Sequence, residues 1–194
     1  MRAWRNGAMG LFVVLGAACG SDPLPMTGQA FWQEGCPSST MGLNCNTGSH
    51  FVRGTAGSAS VDVECNVVPV TGGTSILFRV ATIGNGQNFA ESTEGLYVTG
   101  VLPAPGQELS SDGGYVQVQG AGWHITPEHG TIGVTGACHV FIDRLSGQNF
   151  SGRLKCTNVV DDLSPPHTRY LSGQVPQTQS NDYAEFTFSN CESR

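Results

Sequence analysis

Five histidines, at positions 50, 124, 129, 139 and 167, are the side chains best suited to acid–base or metal chemistry in this chain. His124-Ile-Thr-Pro-Glu128-His129 places two imidazoles and a carboxylate within six residues, a donor set that Zn²⁺ accepts. The motif differs from the helical H-E-x-x-H, whose histidines meet because they lie one turn apart. Here Pro127 separates them, and proline interrupts a helix. The expectation is a polar loop at a sheet edge, with His124, Glu128 and His129 as weak candidates for a metal and no cofactor. Asp161-Asp162 beside Ser164 offers the hard oxygens that Ca²⁺ takes. It lacks a spaced acidic loop, so a solvated turn is expected there, and Asp143 is expected on a solvent face.

Nucleophilic catalysis needs a serine or cysteine beside a positioned base. No G-x-S-x-G elbow occurs, and the cysteines are expected to be paired. No catalytic residue is assigned, and the chain is not expected to be an enzyme. Trp32 and Trp123, with Asn and Gln nearby, are the candidates for a sugar-stacking surface.

These residues sit in a chain of 194 with only 12% charged side chains and 27 glycines. Nine basic residues stand against fifteen acidic ones. Nucleic acid is excluded as a partner, because its binding depends on Lys and Arg displacing counterions. Abundant Val, Thr and Gly with no sustained 3.6-residue period argues for strands, not helices.

The N-terminus has a different character. Arg2 and Arg5 precede an apolar run of eleven residues, 8 to 18, that ends in small residues before Cys19. A spanning helix needs about 20 apolar residues, so the run matches a cleavable export signal. Leu15-Gly16-Ala17-Ala18-Cys19 resembles the lipobox of bacterial lipoproteins, with Leu15 one place earlier than usual. The resemblance implies cleavage after residue 18, a lipid on the Cys19 sulfur, and anchoring in the membrane through that lipid. Gly20 and Ser21 lack the aspartate that retains such proteins in the inner membrane, which implies the outer membrane of a Gram-negative cell. Residues 19–30 are expected to form an extended, unpacked tether, and 31–194 a single domain.

Setting Cys19 apart leaves six cysteines, an even number that in an exported chain reads as three disulfides. If Gly147 centres a hairpin, Cys138 faces Cys156, Val140 faces Leu154 and Ile142 faces Gly152, close enough to bridge the cysteines. Cys36 and Cys45 enclose a small polar loop and form the second pair. Cys65–Cys191 follows by elimination.

Strands are expected at 58–68, 75–83, 96–102, 115–125, 131–143, 150–160, 168–175 and 183–191. Turns are expected at Gly84-Asn85-Gly86 and Asp112-Gly113-Gly114, and residues 33–50 read as an irregular disulfide-held loop. About eight to ten short strands with regular turn signals specify an all-β antiparallel sandwich, with a barrel as the alternative. The run from Cys138 through Phe150-Ser-Gly-Arg-Leu-Lys-Cys156 to Phe186-Thr-Phe188 resembles the C-terminal hairpins of many small bacterial lipoproteins, which implies the same fold class and anchoring. The expected function is a lipid-anchored envelope protein with a structural or binding role. The alternatives are a carbohydrate- or protein-binding module at the surface and a metal-dependent hydrolase.

Overall fold

The computed structural model describes residues 23–36, 48–83, 94–120, 123–126, 130–133, 137–163, 166–173 and 182–193. For residues 111–113, 123 and 124 it describes the backbone alone. These residues form eleven strands: β1 (Thr27–Gly35), β2 (Gly48–Thr55), β3 (Val61–Val70), β4 (Gly73–Thr82), β5 (Gly95–Leu102), β6 (Ser110–Gly120), β7 (Trp123–Ile125), β8 (Cys138–Ser146), β9 (Asn149–Val160), β10 (Thr168–Ser172) and β11 (Ala184–Ser189). Among the described residues no helix is long and apolar enough to cross a membrane.

The strands make two antiparallel sheets, an all-β sandwich. Sheet B is a meander in the order β3-β4-β5-β6-β7. Sheet A has β2 at one edge and β8 at the other. Strands β1 and β9 flank a split central position. The first half of β1 pairs with β11, from Thr27↔Ser189 to Phe31↔Glu185, and its end pairs with β10, from Gln33↔Ser172 to Gly35↔Tyr170. On the other side, β9 pairs with the same two short strands. β10 and β11 thus act as one strand interrupted by a connection that leaves at Gly173 and returns at Tyr183. The neck is tight enough that a Cβ on Gly173 would strike the Tyr183 carbonyl oxygen.

Period-two burial follows from side chains alternating across a strand. Val63, Cys65 and Val67 of β3 face inward, as do Phe150, Leu154 and Cys156 of β9 and Ala184, Phe186 and Phe188 of β11. Phe78 of β4 joins the layers. Its ring lies 5.5, 4.4 and 4.8 Å from those of Phe150, Phe186 and Phe188. Cys138 and Cys156 are directly opposite and bonded. Cys65 of sheet B is bonded to Cys191, just beyond β11 of sheet A. After β11 the chain crosses to sheet B, where Glu192 pairs with Asn66.

The β8–β9 hairpin has the register Cys138↔Cys156, Val140↔Leu154 and Ile142↔Gly152. Its turn is Gly147-Gln148, with Gly147 at φ +58°. A two-residue turn alone would set Ser146 against Asn149 and shift every later pair by one. A bulge between Ile142 and Arg144 absorbs the extra residue. Gly152 is required by close approach, since a Cβ there would strike the Phe141 carbonyl oxygen and the Phe186 ring.

Several expectations are corrected. Residues 27–30 are not tether but the first half of β1, and the docked chain begins earlier still. The Pro25 carbonyl accepts from Asn190 Nδ2 at 3.0 Å, the Met26 carbonyl from the Ala56 amide at 2.9 Å, and the Met26 sulfur from the Cys65 amide at 3.0 Å. The segment 33–50 holds the end of β1 and the start of β2. Asp112-Gly113-Gly114 lies within β6, at a bulge opposite Thr99–Val101, and makes no turn. The Gly84-Asn85-Gly86 turn falls outside the described residues.

Candidate functional site

Two polar arrangements stand out, one inside the sandwich and one on its surface. The interior one begins on β1, whose inward alternation runs through Ala30 and Trp32 to Glu34. β2 sets His50 directly opposite Trp32, and their rings stack at 5.1 Å and 14°. His50 Nε2 lies 3.5 Å from Glu34 Oε1, and His50 Nδ1 lies 3.2 Å from Glu94 Oε1, which enters from the start of β5. On the far side, Arg169 Nη1 is 4.0 Å from Glu34 Oε1. Arg169 Nε donates to Asp161 Oδ2 at 2.6 Å. Asp161 Oδ1 also accepts from the backbone amides of Leu163 and His167, and His167 Nδ1 lies 3.5 Å from Asp161 Oδ2.

The result is a row in which acidic and basic side chains alternate: Glu94, His50, Glu34, Arg169, Asp161, His167. Burial alone would lower the His50 pKa, but hydrogen bonding and charge from Glu34 and Glu94 outweigh it and raise the value above the usual 6.5. Both imidazole nitrogens face carboxylates, which favours the doubly protonated ring. The arrangement is a buried charge network that joins β1, β2 and β10.

The second arrangement is the outer face of sheet A. Residues directly opposite across neighbouring strands share a face, so the register lays out three parallel rows. Thr55, Thr27 and Ser189 form a hydroxyl row. Arg53, Gln29 and Thr187 form a cation, amide and hydroxyl row. Phe51, Phe31, Glu185, Arg153 and Phe141 form the third. The first two rows line a cleft of about 420 Å³. Phe51 is 60% exposed. Among the described residues Arg53 has no carboxylate partner, whereas Arg153 has Asp143 at 3.1 Å and lies over the Phe141 and Tyr183 rings at 4.7 and 4.8 Å.

Sheet B offers a contrasting outer row of Glu64, Arg79, Tyr97 and Gln117. There the cation is already matched: Arg79 Nη2 lies 2.6 Å from Asp62 and 3.2 Å from Glu64. Tyr97 stacks on Tyr115 at 5.6 Å. Its hydroxyl is pushed up to about 12, first by burial and then by its hydrogen bond to Tyr115.

Of the candidates drawn from sequence, Trp32 is fully buried and presents no ring face to a ligand, because it occupies the inward phase of β1. That is a correction. Trp123 and His124 lie on β7, with side chains outside the described residues, as are Glu128 and His129. Among the described residues no group of three or more His, Cys, Asp or Glu is placed to hold a metal. Asp161 is 1% exposed and serves as a counter-ion, not a solvated turn. Asp143 lies on the solvent face. Cys36 is buried and disulfide-bonded. Its expected partner Cys45 lies outside the described residues, as does Cys19. Glu34, His50 and Arg169 were not singled out from sequence. Alternation of His50, Val52 and Gly54 against exposed Ser49, Phe51 and Arg53 was the signal that could have found β2 and its histidine.

The fold and its polar surfaces define a cystine-stabilised two-layer β-sandwich. Comparison with protein-family models, with curated proteins and with solved structures gives no match.

Proposed function

We propose that this chain is an exported cell-envelope lipoprotein, anchored through a lipid on Cys19 in the outer membrane of a Gram-negative bacterium, whose β-sandwich binds a partner and does not catalyse. The observation that carries this reading is the pair of core cystines, Cys65–Cys191 and Cys138–Cys156. Disulfides of this kind persist in oxidising compartments and are rare in the cytosol. Export is therefore favoured independently of the signal-like run at 8–18, and the lipobox resemblance around Cys19 supplies the means of retention.

The binding role rests on the surface. His50 is buried with its two nitrogens 3.5 and 3.2 Å from carboxylates, while the outer face of sheet A leaves a guanidinium and an aromatic ring open. A carbohydrate is favoured over a protein partner by the polar lining of the cleft.

The test of the anchor is metabolic labelling with a fatty-acid analogue in a bacterial host. The full chain should carry label in the membrane fraction, and Cys19→Ala should carry none. A labelled Cys19→Ala protein, or an unlabelled parent, would overturn the anchor.

A further inference from the structure

We infer that the cleft on the outer face of sheet A is a binding site for an acidic saccharide. Its sugar ring packs on Phe51 and Phe31, its hydroxyls meet Gln29 and the Thr27, Thr55 and Thr187 side chains, and its carboxylate meets Arg53. The inference rests on the binding role proposed above and is independent of the anchor.

Three features of the cleft converge on this ligand class. The first is chemical. Every side chain lining the space of about 420 Å³ is a hydroxyl, an amide or a guanidinium. The volume lies within the roughly 300–1,000 Å³ usual for small-ligand sites, but those sites are mostly apolar. A lining without an apolar side chain rejects lipids and suits a polyhydroxylated molecule, whose groups both donate and accept as threonine and glutamine do.

The second is charge. The chain has fifteen acidic residues to nine basic, and the cation of sheet B is matched by two carboxylates. Arg53 is exposed and has no carboxylate partner among the described residues. An arginine fork takes a planar carboxylate in a bidentate fashion. Neutral sugars would satisfy the hydroxyl rows and leave the guanidinium with water.

The third is the aromatic row bordering the cleft. Phe51 is 60% exposed, so it forgoes much of the stabilisation that burying a phenylalanine side chain contributes. It contributes little to the core, and Phe31 lies directly opposite it on the same face. The electron-rich faces of such rings complement the C–H face of a pyranose. Apolar, amide and charged groups in adjacent rows match the three kinds of surface that an acidic sugar presents.

The experiment titrates the purified full chain with a galacturonic acid trisaccharide and with the neutral galactose trisaccharide, following heat. The acidic probe should bind about tenfold or more tighter than the neutral one, the range of a hydrogen bond to a charged group, and should weaken as salt is raised. Arg53→Gln should abolish that preference and leave the neutral probe unaffected. Phe51→Ala should weaken both about tenfold with no change in unfolding midpoint. No binding of either probe, or binding indifferent to both substitutions, overturns the inference. So does concentration-dependent dimerisation abolished by Phe51→Ala, which would make the face a contact between copies along the open β2 edge. Fatty-acid labelling of the same preparation keeps the two readings apart: a labelled protein that binds neither probe loses the ligand and retains the anchor.

Discussion

Removing the two described cystines one at a time should destabilise the sandwich unequally, and the inequality tests where their stabilisation arises. The perturbations are Cys65→Ala with Cys191→Ala, and Cys138→Ala with Cys156→Ala. All four sulfurs are buried, at 0 or 1% exposure, so the packing lost on truncation is similar and largely cancels in the comparison. What differs is the loop each bond closes in the unfolded chain. A sequence separation of 126 corresponds to about 5 kcal/mol of chain entropy, and one of 18 to about 3 kcal/mol. The hairpin bond lies inside the larger loop and shortens it, but the dependence is logarithmic and lowers the larger value by only about 0.1 kcal/mol. With a urea dependence of about 2 kcal/mol per molar, the unfolding midpoint should fall by about 2.5 M without Cys65–Cys191 and about 1.5 M without Cys138–Cys156. Urea titration of non-reduced protein, followed by tryptophan fluorescence, measures both. Equal midpoints, or a larger loss from the hairpin pair, would refute the reasoning and place the stabilisation in native packing.

Three further outcomes are expected. The His50 pKa is raised above 6.5 in the folded state, so its contribution to stability is complete below about 6.5 and is lost as pH rises through the folded value. Urea midpoints taken across that window should fall in the parent and stay level in His50→Gln over the same range. Phe78→Ala removes the ring that touches three phenylalanines of the opposite sheet and should cost about 3–5 kcal/mol, read by the same titration. Arg169→Met strands Asp161 in the core and should cost about 3–5 kcal/mol, while adding Asp161→Leu should restore part of the loss because both charges are then gone.

The fold was legible where alternation and turn chemistry agreed. Val61 to Val67, Cys138 to Ile142 and Ala184 to Phe188 each carry apolar residues at every second position, and each is a strand with that face inward. Gly147 marked a hairpin whose side-chain pairing could be written down residue by residue. Legibility failed where one signal spoke against another. Asp112-Gly113-Gly114 has the composition of a turn, yet the bulge in β6 uses those small residues to bend a continuing strand. Pro25 read as part of an unpacked tether, although only its amide lacks a hydrogen and its carbonyl is bound by Asn190. The charge network was hidden for another reason. Glu34, Arg169 and Asp161 are ordinary surface residue types, and only the pairing of β1 with β10 brings them into one interior. No local pattern encodes the meeting of residues 34 and 169. The surface rows were hidden likewise, because Thr27, Thr55 and Ser189 become neighbours only through register.

The proposed anchor and the proposed binding site also constrain each other. Pro25 is fixed to Asn190, so if Cys19 carries the lipid, six peptide steps separate the membrane from the docked chain. At about 3.5 Å per step they reach no more than about 20 Å. The cleft is built on Thr27 and Gln29, at the start of β1, and with that anchor would stand within about 30 Å of the lipid surface. Glu34 lies seven residues on from Thr27 in β1, roughly 24 Å further along the strand, with His50 of β2 and Arg169 of β10 beside it. If the proposed anchor holds, a ligand for the proposed site has to be available close to the membrane, as an acidic polysaccharide of the envelope would be and a freely diffusing protein need not be. Placing ten Gly-Ser residues after Ser21 should consequently leave trisaccharide affinity in solution unchanged. Retention of whole cells' own acidic polysaccharide on the anchored protein should fall, because the longer tether lifts the cleft out of the layer in which that polymer is concentrated. Equal retention with and without the insertion would show that the short tether has no part in recognition.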